Sequence, residues 1–244
     1  MSSTHLLAGA AVAVLAGSAS ATPIFDVFGP LPQATFGGTG IPNDEVAAGM
    51  QIEDGDVTIT IALSATQRFS NPALTNDGAG TYFATPGSNF GGAGESSSEG
   101  ALWNFNYYIE VEGINGATPQ LTDYQIDLFY DFDTTPDNGP GTLGSIDITG
   151  SLGLLDPAAT VTEGSQNLLF GFLENPAPPF DTVVTPPAGS FDPNALGEYN
   201  FAITVSQPGG FSLETVAIDV VIVPSPASAA LLTPAGLLLA RRRR

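Results

Sequence analysis

The sequence predicts an all-β protein built as a single β-sandwich. Several segments alternate apolar and polar residues with period two and are rich in β-branched and aromatic side chains, as half-buried strands are. Many of the 29 glycines and 20 prolines lie between these segments, where they favour turns. Helical periodicity is scarce in the same region. Two packed sheets are therefore the architecture that the pattern favours.

The predicted strands number about seven to nine. The clearest is 102–112, in which Trp103, Phe105 and Tyr107 alternate with polar residues and should point into the core. In 211–222 the apolar phase slips, which predicts a β-bulge near Glu214 and Thr215. The last two strands resemble those of immunoglobulin-like surface domains, so the sandwich is expected to be immunoglobulin-like or jelly-roll-like. The predicted strands are 56–64, 81–84, 102–112, 124–132, 143–154, 167–174, 199–205 and 211–222.

Three other segments read as loop or sheet edge. Residues 22–51 are rich in proline and glycine, with room for one short edge strand. Residues 70–100 carry many glycines and serines and predict a long loop. Residues 175–187 contain five prolines, which cannot donate to a sheet ladder, so this segment belongs in a loop or at an edge.

The N-terminus has the pattern of a secretory signal peptide. Residues 6–16 form a short apolar run, and Ala19-Ser20-Ala21 fits the small-residue pattern at which such peptides are cleaved. We therefore expect residues 1–21 to be a signal peptide and the chain to be exported. The alternative is that this run is the first hydrophobic element of the fold.

The C-terminal residues 223–244 read as a membrane-directed tail. Val223-Pro224-Ser225-Pro226 is followed by the uncharged stretch 227–240 and by Arg241, Arg242, Arg243 and Arg244. The uncharged run 220–240 reaches the length of about 20 apolar residues that a membrane helix needs. The arginines would then stay cytoplasmic, which leaves the rest of the chain outside. The alternative is a terminal strand followed by a basic tail.

This tail resembles the PEP-CTERM sorting signal of Gram-negative-type bacteria. The resemblance rests on the proline motif Val223–Pro226, the apolar segment and the closing arginine cluster; Ser225 stands where the family usually has Glu. It implies processing near the motif by an exosortase, a membrane transpeptidase-like enzyme. It also implies passage through the inner membrane and delivery to the cell surface or an exopolysaccharide matrix.

The body, 22–223, is strongly acidic. It holds one basic residue, Arg68, against all 25 acidic residues, so its net charge is 1 − 25 = −24. Such a surface repels nucleic acid, and we expect no nucleic-acid partner. The body contains no Cys, His or Lys, which excludes Ser-His-Asp triads, cysteine nucleophiles, lysine Schiff bases and histidine- or cysteine-bound zinc.

One loop is a candidate calcium site. Asp131, Asp133, Asp137 and Asn138 follow the predicted strand 124–132 within eight residues and offer oxygen ligands of the kind that Ca²⁺ takes. Their spacing is not that of an EF-hand. An ordinary turn, which favours the same residue types, is the competing interpretation. No other cofactor is expected.

Three functions remain open. The leading one is a non-enzymatic structural protein of the cell surface or extracellular matrix, associated with exopolysaccharide or biofilm. The alternative is a carbohydrate-binding module, calcium-dependent if the loop binds the ion, with Trp103, Tyr108, Phe129, Tyr82 or Phe83 as stacking aromatics. The third is a glycosidase with a pair of carboxylates, for which no catalytic residues are nominated.

Overall fold

A computed structural model describes residues 23–36, 46–69, 74–90, 99–136 and 142–224 of this chain. Strands make up 49% and helices 10% of them, so the predicted all-β class is confirmed. The strands are β1 (Val27–Pro30), β2 (Val46–Asp54), β3 (Val57–Gln67), β4 (Thr75–Asn76), β5 (Thr81–Ala84), β6 (Ser88–Phe90), β7 (Glu99–Ala101), β8 (Trp103–Gly113), β9 (Gln125–Tyr130), β10 (Gly144–Asp147), β11 (Val161–Gln166), β12 (Val184–Thr185), β13 (Gly197–Ser206) and β14 (Ser212–Ile222). The helices are α1 (Ile148–Leu155) and α2 (Gly171–Glu174), with single 3-10 turns at Leu121–Asp123 and Phe180–Thr182.

The strands form two main sheets with the core between them. The five-stranded sheet has the order β1-β2-β3-β8-β11 and is antiparallel. The seven-stranded sheet has the order β12-β10-β9-β13-β14-β5-β4, and within it only β14 and β5 run parallel. A small third sheet pairs β6 with β7. The architecture is therefore β-sandwich-like.

Aromatic side chains join the two sheets. Phe105 of β8 stacks on Phe201 of β13, with ring centroids 4.6 Å apart. Trp103, only 2% exposed, lies against both Tyr199 and Phe201. The inward direction predicted for Trp103 and Phe105 is thus confirmed. Burying aromatics of this size supplies much of the hydrophobic driving force for a core.

The outer face of the five-stranded sheet is covered in part by residues 31–36. There Phe36 and Ala34 pack on Tyr108, which is buried although it points away from the main core. The carboxylate of Glu163 in β11 holds this segment by accepting hydrogen bonds from the backbone N–H groups of Thr35 (2.7 Å) and Phe36 (2.8 Å). A carboxylate facing two adjacent N–H groups makes strong, charge-assisted hydrogen bonds.

Two predicted strands are wrong. Only the first part of 143–154 is a strand, because Asp147 caps α1 by accepting a hydrogen bond from the Gly150 N–H at 2.8 Å. The segment 167–174 turns into α2 instead of extending. The sequence prediction also missed β11, and most of β2 lies inside a stretch predicted as loop.

The final hairpin follows the prediction closely. β13 and β14 pair along their length, from Gly197 opposite Ile222 to Ser206 opposite Ser212. The register shifts between Val205 and Ser206, which leaves Leu213 as the extra residue of β14. The predicted bulge is therefore present and lies just before Glu214.

The two predicted terminal segments lie almost wholly outside the described residues. Residues 1–21 are not among them, and of the tail 223–244 only Val223 and Pro224 are. In the described part of the chain, no helix has both the length and the apolar character needed to span a membrane.

Candidate functional site

The acidic loop after β9 begins with two aspartates in different settings. Asp131 is buried, at 1% exposure, whereas Asp133 is exposed. Asp131 Oδ1 accepts a hydrogen bond from the Asp133 N–H (2.8 Å), and Asp133 Oδ1 accepts one from the Thr135 N–H (2.9 Å). Asp side chains form such turns by bonding the backbone two residues ahead. The local sequence thus explains why the chain curls here.

A third acidic residue, distant in sequence, joins this loop at the end of the sandwich. The Tyr199 hydroxyl donates to the backbone carbonyl of Asp192 at 3.3 Å. Burial raises the pKa of the Tyr199 phenol above its ordinary value, and the nearby carboxylates of Asp192, Asp131 and Asp133 raise it further. Sequence analysis missed Asp192 because nothing in its local pattern points to a partner sixty residues earlier.

The loop packs tightly on the first residues of β13. The Glu198 N–H donates to the Thr134 carbonyl at 3.2 Å. A Cβ atom at Gly197, whose φ is +143°, would stand 2.6 Å from the Thr134 Cβ, so this close approach needs glycine. Since Gly197 pairs with Ile222, the acidic loop and the end of β14 lie at the same end of the seven-stranded sheet.

The oxygen atoms around this loop are of the chemical type that binds calcium. Carboxylate and carbonyl oxygens are the ligands that Ca²⁺ takes, usually six to eight of them. Asp137 and Asn138, the other two predicted ligands, lie outside the described residues. Among the residues that are described, no three acidic or histidine side chains are grouped to hold a metal. The calcium site therefore stays a prediction.

The C-terminal motif begins where the folded body ends. β14 finishes at Ile222, and the next residue, Val223, still donates its N–H to the Ala84 carbonyl at 2.9 Å. Both Val223 and Pro224 are exposed. The remaining predicted motif residues, Ser225, Pro226, Arg241, Arg242, Arg243 and Arg244, lie outside the described residues.

Most of the aromatics considered for sugar stacking are not available for it. Trp103, Tyr108 and Tyr82 are 2%, 2% and 0% exposed. The Tyr82 hydroxyl is engaged with the Val46 carbonyl at 2.7 Å. Only Phe83 and Phe129 are half-buried, each on the outer face of the seven-stranded sheet. A stacking platform built on Trp103, Tyr108 or Tyr82 is therefore wrong, because these rings pack inside the protein.

Two carboxylates face each other across β9 and β10. Asp127 of β9 and Asp147 of β10 are opposite each other, and the Gln125 amide donates to both at 3.1 and 3.2 Å. Burial raises the pKa of Asp127, the Gln125 hydrogen bond lowers it and the charge of Asp147 raises it. Asp147 is also committed to capping α1. The pair lies on a sheet surface, where the Gln125 amide bridges its two carboxylates, so we assign no hydrolytic role to it.

The body's one arginine has a structural position. Arg68 is 4% exposed, donates to the Asn89 carbonyl at 3.0 Å and lies 4.4 Å over the Phe69 ring. These contacts tie the end of β3 to the β6–β7 hairpin. Such a buried, stacked guanidinium stabilises its surroundings rather than serving as a surface cation.

These features define a class: an all-β protein of β-sandwich-like architecture, with acidic side chains gathered at the end where the C-terminal tail leaves. Comparison with protein families, with curated proteins and with solved structures finds no match for this chain.

Proposed function

We propose that the chain is an exported, non-enzymatic structural protein of the cell surface or extracellular matrix, sorted through the tail 223–244. The observation that carries the proposal is the junction at Ile222. The last strand is complete one residue before the Val223–Pro226 motif, so cleavage there would leave every described sheet intact. Exposure of Val223 and Pro224 gives a processing enzyme access to the start of the motif.

The charge distribution supports the same proposal. The acidic body keeps the protein soluble and repels nucleic acid, while four of the five basic residues lie in the tail. The implied partners are an exosortase-like enzyme, the inner membrane before processing, and extracellular polysaccharide afterwards. Within the all-β class, we propose an immunoglobulin-like or jelly-roll-like sandwich as the particular form.

The test is the intact mass and cell fraction of the native protein. We expect loss of residues 1–21 and of residues beyond about Val223, with the product at the cell surface or in the medium. A double substitution, Pro224→Ala with Pro226→Ala, should leave the tail attached and the protein in the membrane fraction. The matched control, Pro208→Ala in the exposed turn of the last hairpin, should be processed normally. A full-length mass in the cytoplasm would overturn the proposal.

A calcium-dependent carbohydrate-binding module is the second candidate. The observation in its favour is that Tyr199 donates to the Asp192 carbonyl at 3.3 Å and lies near the carboxylates of Asp131 and Asp133. Calcium should raise the melting temperature of the full chain, because an ion that binds only the folded state stabilises it. Asp133→Asn should remove this shift, whereas Asp181→Asn, at another exposed aspartate, should retain it. Equal shifts in both variants would mean charge screening and would exclude a site at this loop.

A further inference from the structure

An uncharged cleft lies between an edge of the five-stranded sheet and an edge of the seven-stranded sheet. One wall is formed by Tyr107 of β8 and by β11, the edge strand of the five-stranded sheet. The other wall is formed by β10 and β12, at one edge of the seven-stranded sheet, together with α1. The cleft has a volume of about 320 Å³, within the range of small-molecule sites.

The two walls differ in chemistry. The wall formed by α1, β10 and β12 is mainly apolar and includes the buried Ile148 and Val184. Its polar lining residue, Ser151, donates its hydroxyl to the Asp147 carbonyl at 2.8 Å. The opposite wall carries the side chains of Tyr107, Thr162 and Gln166. An apolar cleft with a few polar groups on one side orients a ligand by its hydrogen-bonding end and holds the rest by burial.

The polar wall is shaped by one glycine. Tyr107 lies directly opposite Gly164 in the β8–β11 ladder, and a Cβ atom at Gly164 would stand 2.8 Å from the Tyr107 ring. The ring therefore lies across the glycine. There its hydroxyl lies near the Thr162 side chain, which lines the same cleft. The phenol of tyrosine is protonated at neutral pH, and burial raises the pKa of Tyr107 still further.

The mouth of the cleft is rimmed by exposed apolar side chains. Leu155, Phe172 and Phe180 are 67%, 37% and 36% exposed and border the opening. Exposed apolar side chains gathered at a concave surface typically mark a binding site.

Charge decides which apolar ligand the cleft can take. None of the described lining residues is charged, and the body's one cation, Arg68, is buried outside the lining. An anionic ligand would find no counter-charge in the cleft and would be repelled by the 25 acidic residues of the body. We propose that this cleft binds an uncharged, mainly apolar small molecule that carries a hydrogen-bonding group at one end.

The test uses two fluorescent probes that share a ring system and differ in charge. Neutral phenylnaphthylamine should bind the full chain at one site and brighten. The sulfonated analogue, anilinonaphthalene sulfonate, should bind at least about tenfold more weakly because of its negative charge. Stronger binding of the sulfonate, or no saturable binding of the neutral probe, would overturn the proposal.

Adjacent leucines of α1 provide a matched pair of variants. Leu155 lines the cleft, whereas Leu154, which is 52% exposed, does not. Leu155→Glu should weaken neutral-probe binding by about tenfold or more, because a bound apolar probe would desolvate the new charge. Leu154→Glu should leave binding unchanged. Equal effects of the two substitutions would show that the probe binds elsewhere.

A reversible block separates local effects from misfolding. The chain contains no cysteine, so Leu155→Cys gives a unique thiol that a bulky methanethiosulfonate can modify. Modification should abolish binding, and reduction of the mixed disulfide should restore it, while the same treatment of Leu154→Cys should do neither. If the wild-type chain is a dimer that Leu155→Glu converts to monomers, the cleft is occupied by a second copy and the proposal is wrong.

Discussion

The side chain of Asn167, the first residue after β11, makes hydrogen bonds to the backbone of the neighbouring segment. Its side chain is fully buried, and its Oδ1 accepts hydrogen bonds from the N–H groups of Ala101 (2.9 Å) and Leu169 (3.1 Å). Its Nδ2 group contacts the carbonyls of Ala101 (3.0 Å) and Trp103 (2.9 Å) and the side-chain oxygen of Asn104 (2.7 Å). One amide therefore bonds backbone groups of Ala101 and Trp103 at the β7–β8 junction, just beyond the end of β11.

Asn167→Leu, which keeps the volume similar, removes all of these hydrogen bonds. Each is worth about 1 kcal/mol net, and buried partners left unsatisfied cost about 1–3 kcal/mol each. Allowing for relaxation around the site, we expect a loss of about 3–5 kcal/mol in the free energy of unfolding. Asn167→Asp keeps the accepted bonds and loses the donated ones. Its deficit should shrink in acid, where the protonated carboxyl regains one donor.

Guanidinium unfolding followed by tryptophan fluorescence measures this directly, because Trp103 is the one tryptophan of the chain and is buried. Asn194→Leu is the matched control, since Asn194 is exposed and its side-chain amide makes a single long contact of 3.5 Å with Asp192. The control should shift stability by less than about 0.5 kcal/mol. If Asn167→Leu changes the free energy of unfolding as little as the control does, the hydrogen bonds of the Asn167 side chain do not stabilise this part of the sheet.

Three further predictions follow from buried or paired polar groups. Asp127→Asn should raise the melting temperature at neutral pH, because burial raises the pKa of Asp127 and the ionised carboxylate therefore opposes folding. This difference should be lost as the pH falls through the folded-state pKa of Asp127, because the carboxyl is then protonated. Asp181→Asn, at an exposed aspartate, is the control and should leave the melting temperature nearly unchanged at neutral pH. Glu163→Gln should speed amide hydrogen exchange at Phe36 by weakening the contact that holds residues 31–36, and unchanged exchange would contradict this role. Burial raises the pKa of five tyrosines. The folded chain should therefore show less tyrosinate absorbance near pH 10 than the guanidinium-unfolded chain. Coincident titration curves of the folded and unfolded chains would refute the burial of these tyrosines. These tyrosines are Tyr107, Tyr108, Tyr124, Tyr130 and Tyr199.

The strands with strict alternation could be predicted from the sequence because their apolar residues all lie on one face, and that face is buried in the core. Trp103 and Phe105 are buried as expected, and the phase slip in β14 does correspond to a bulge. Tyr108 is an exception: it lies on the outer face of the sheet and is nevertheless buried, because residues 31–36 cover that face. Local periodicity describes one strand at a time and carries no information on which distant segment will cover its other face.

The elements that sequence analysis missed have weak local signals. β11 contains one strongly apolar residue, Val161, and its central Gly164 is explained only by the Tyr107 ring lying across it. α1 contains two glycines and a β-branched start, which disfavour a helix. It forms because Asp147 caps it and because Ile148 and Leu152 are buried against the core. Tertiary packing overrode propensity in both cases.

The two features proposed to be functional, the tail motif and the cleft, differ in how local they are in the sequence. The tail motif is contiguous, so the sequence alone exposes it, and the structure adds that the motif begins one residue after β14. The cleft is assembled from β8, β10, α1, β11, α2, the turn at Phe180–Thr182 and β12, so its lining residues are spread from Tyr107 to Val184 and no single stretch of sequence reveals it. Composition nevertheless limits its chemistry in advance. A body with one basic residue, itself buried, has no positive side chain to offer an anion in this cleft, so the composition of the body already argues against an anionic ligand.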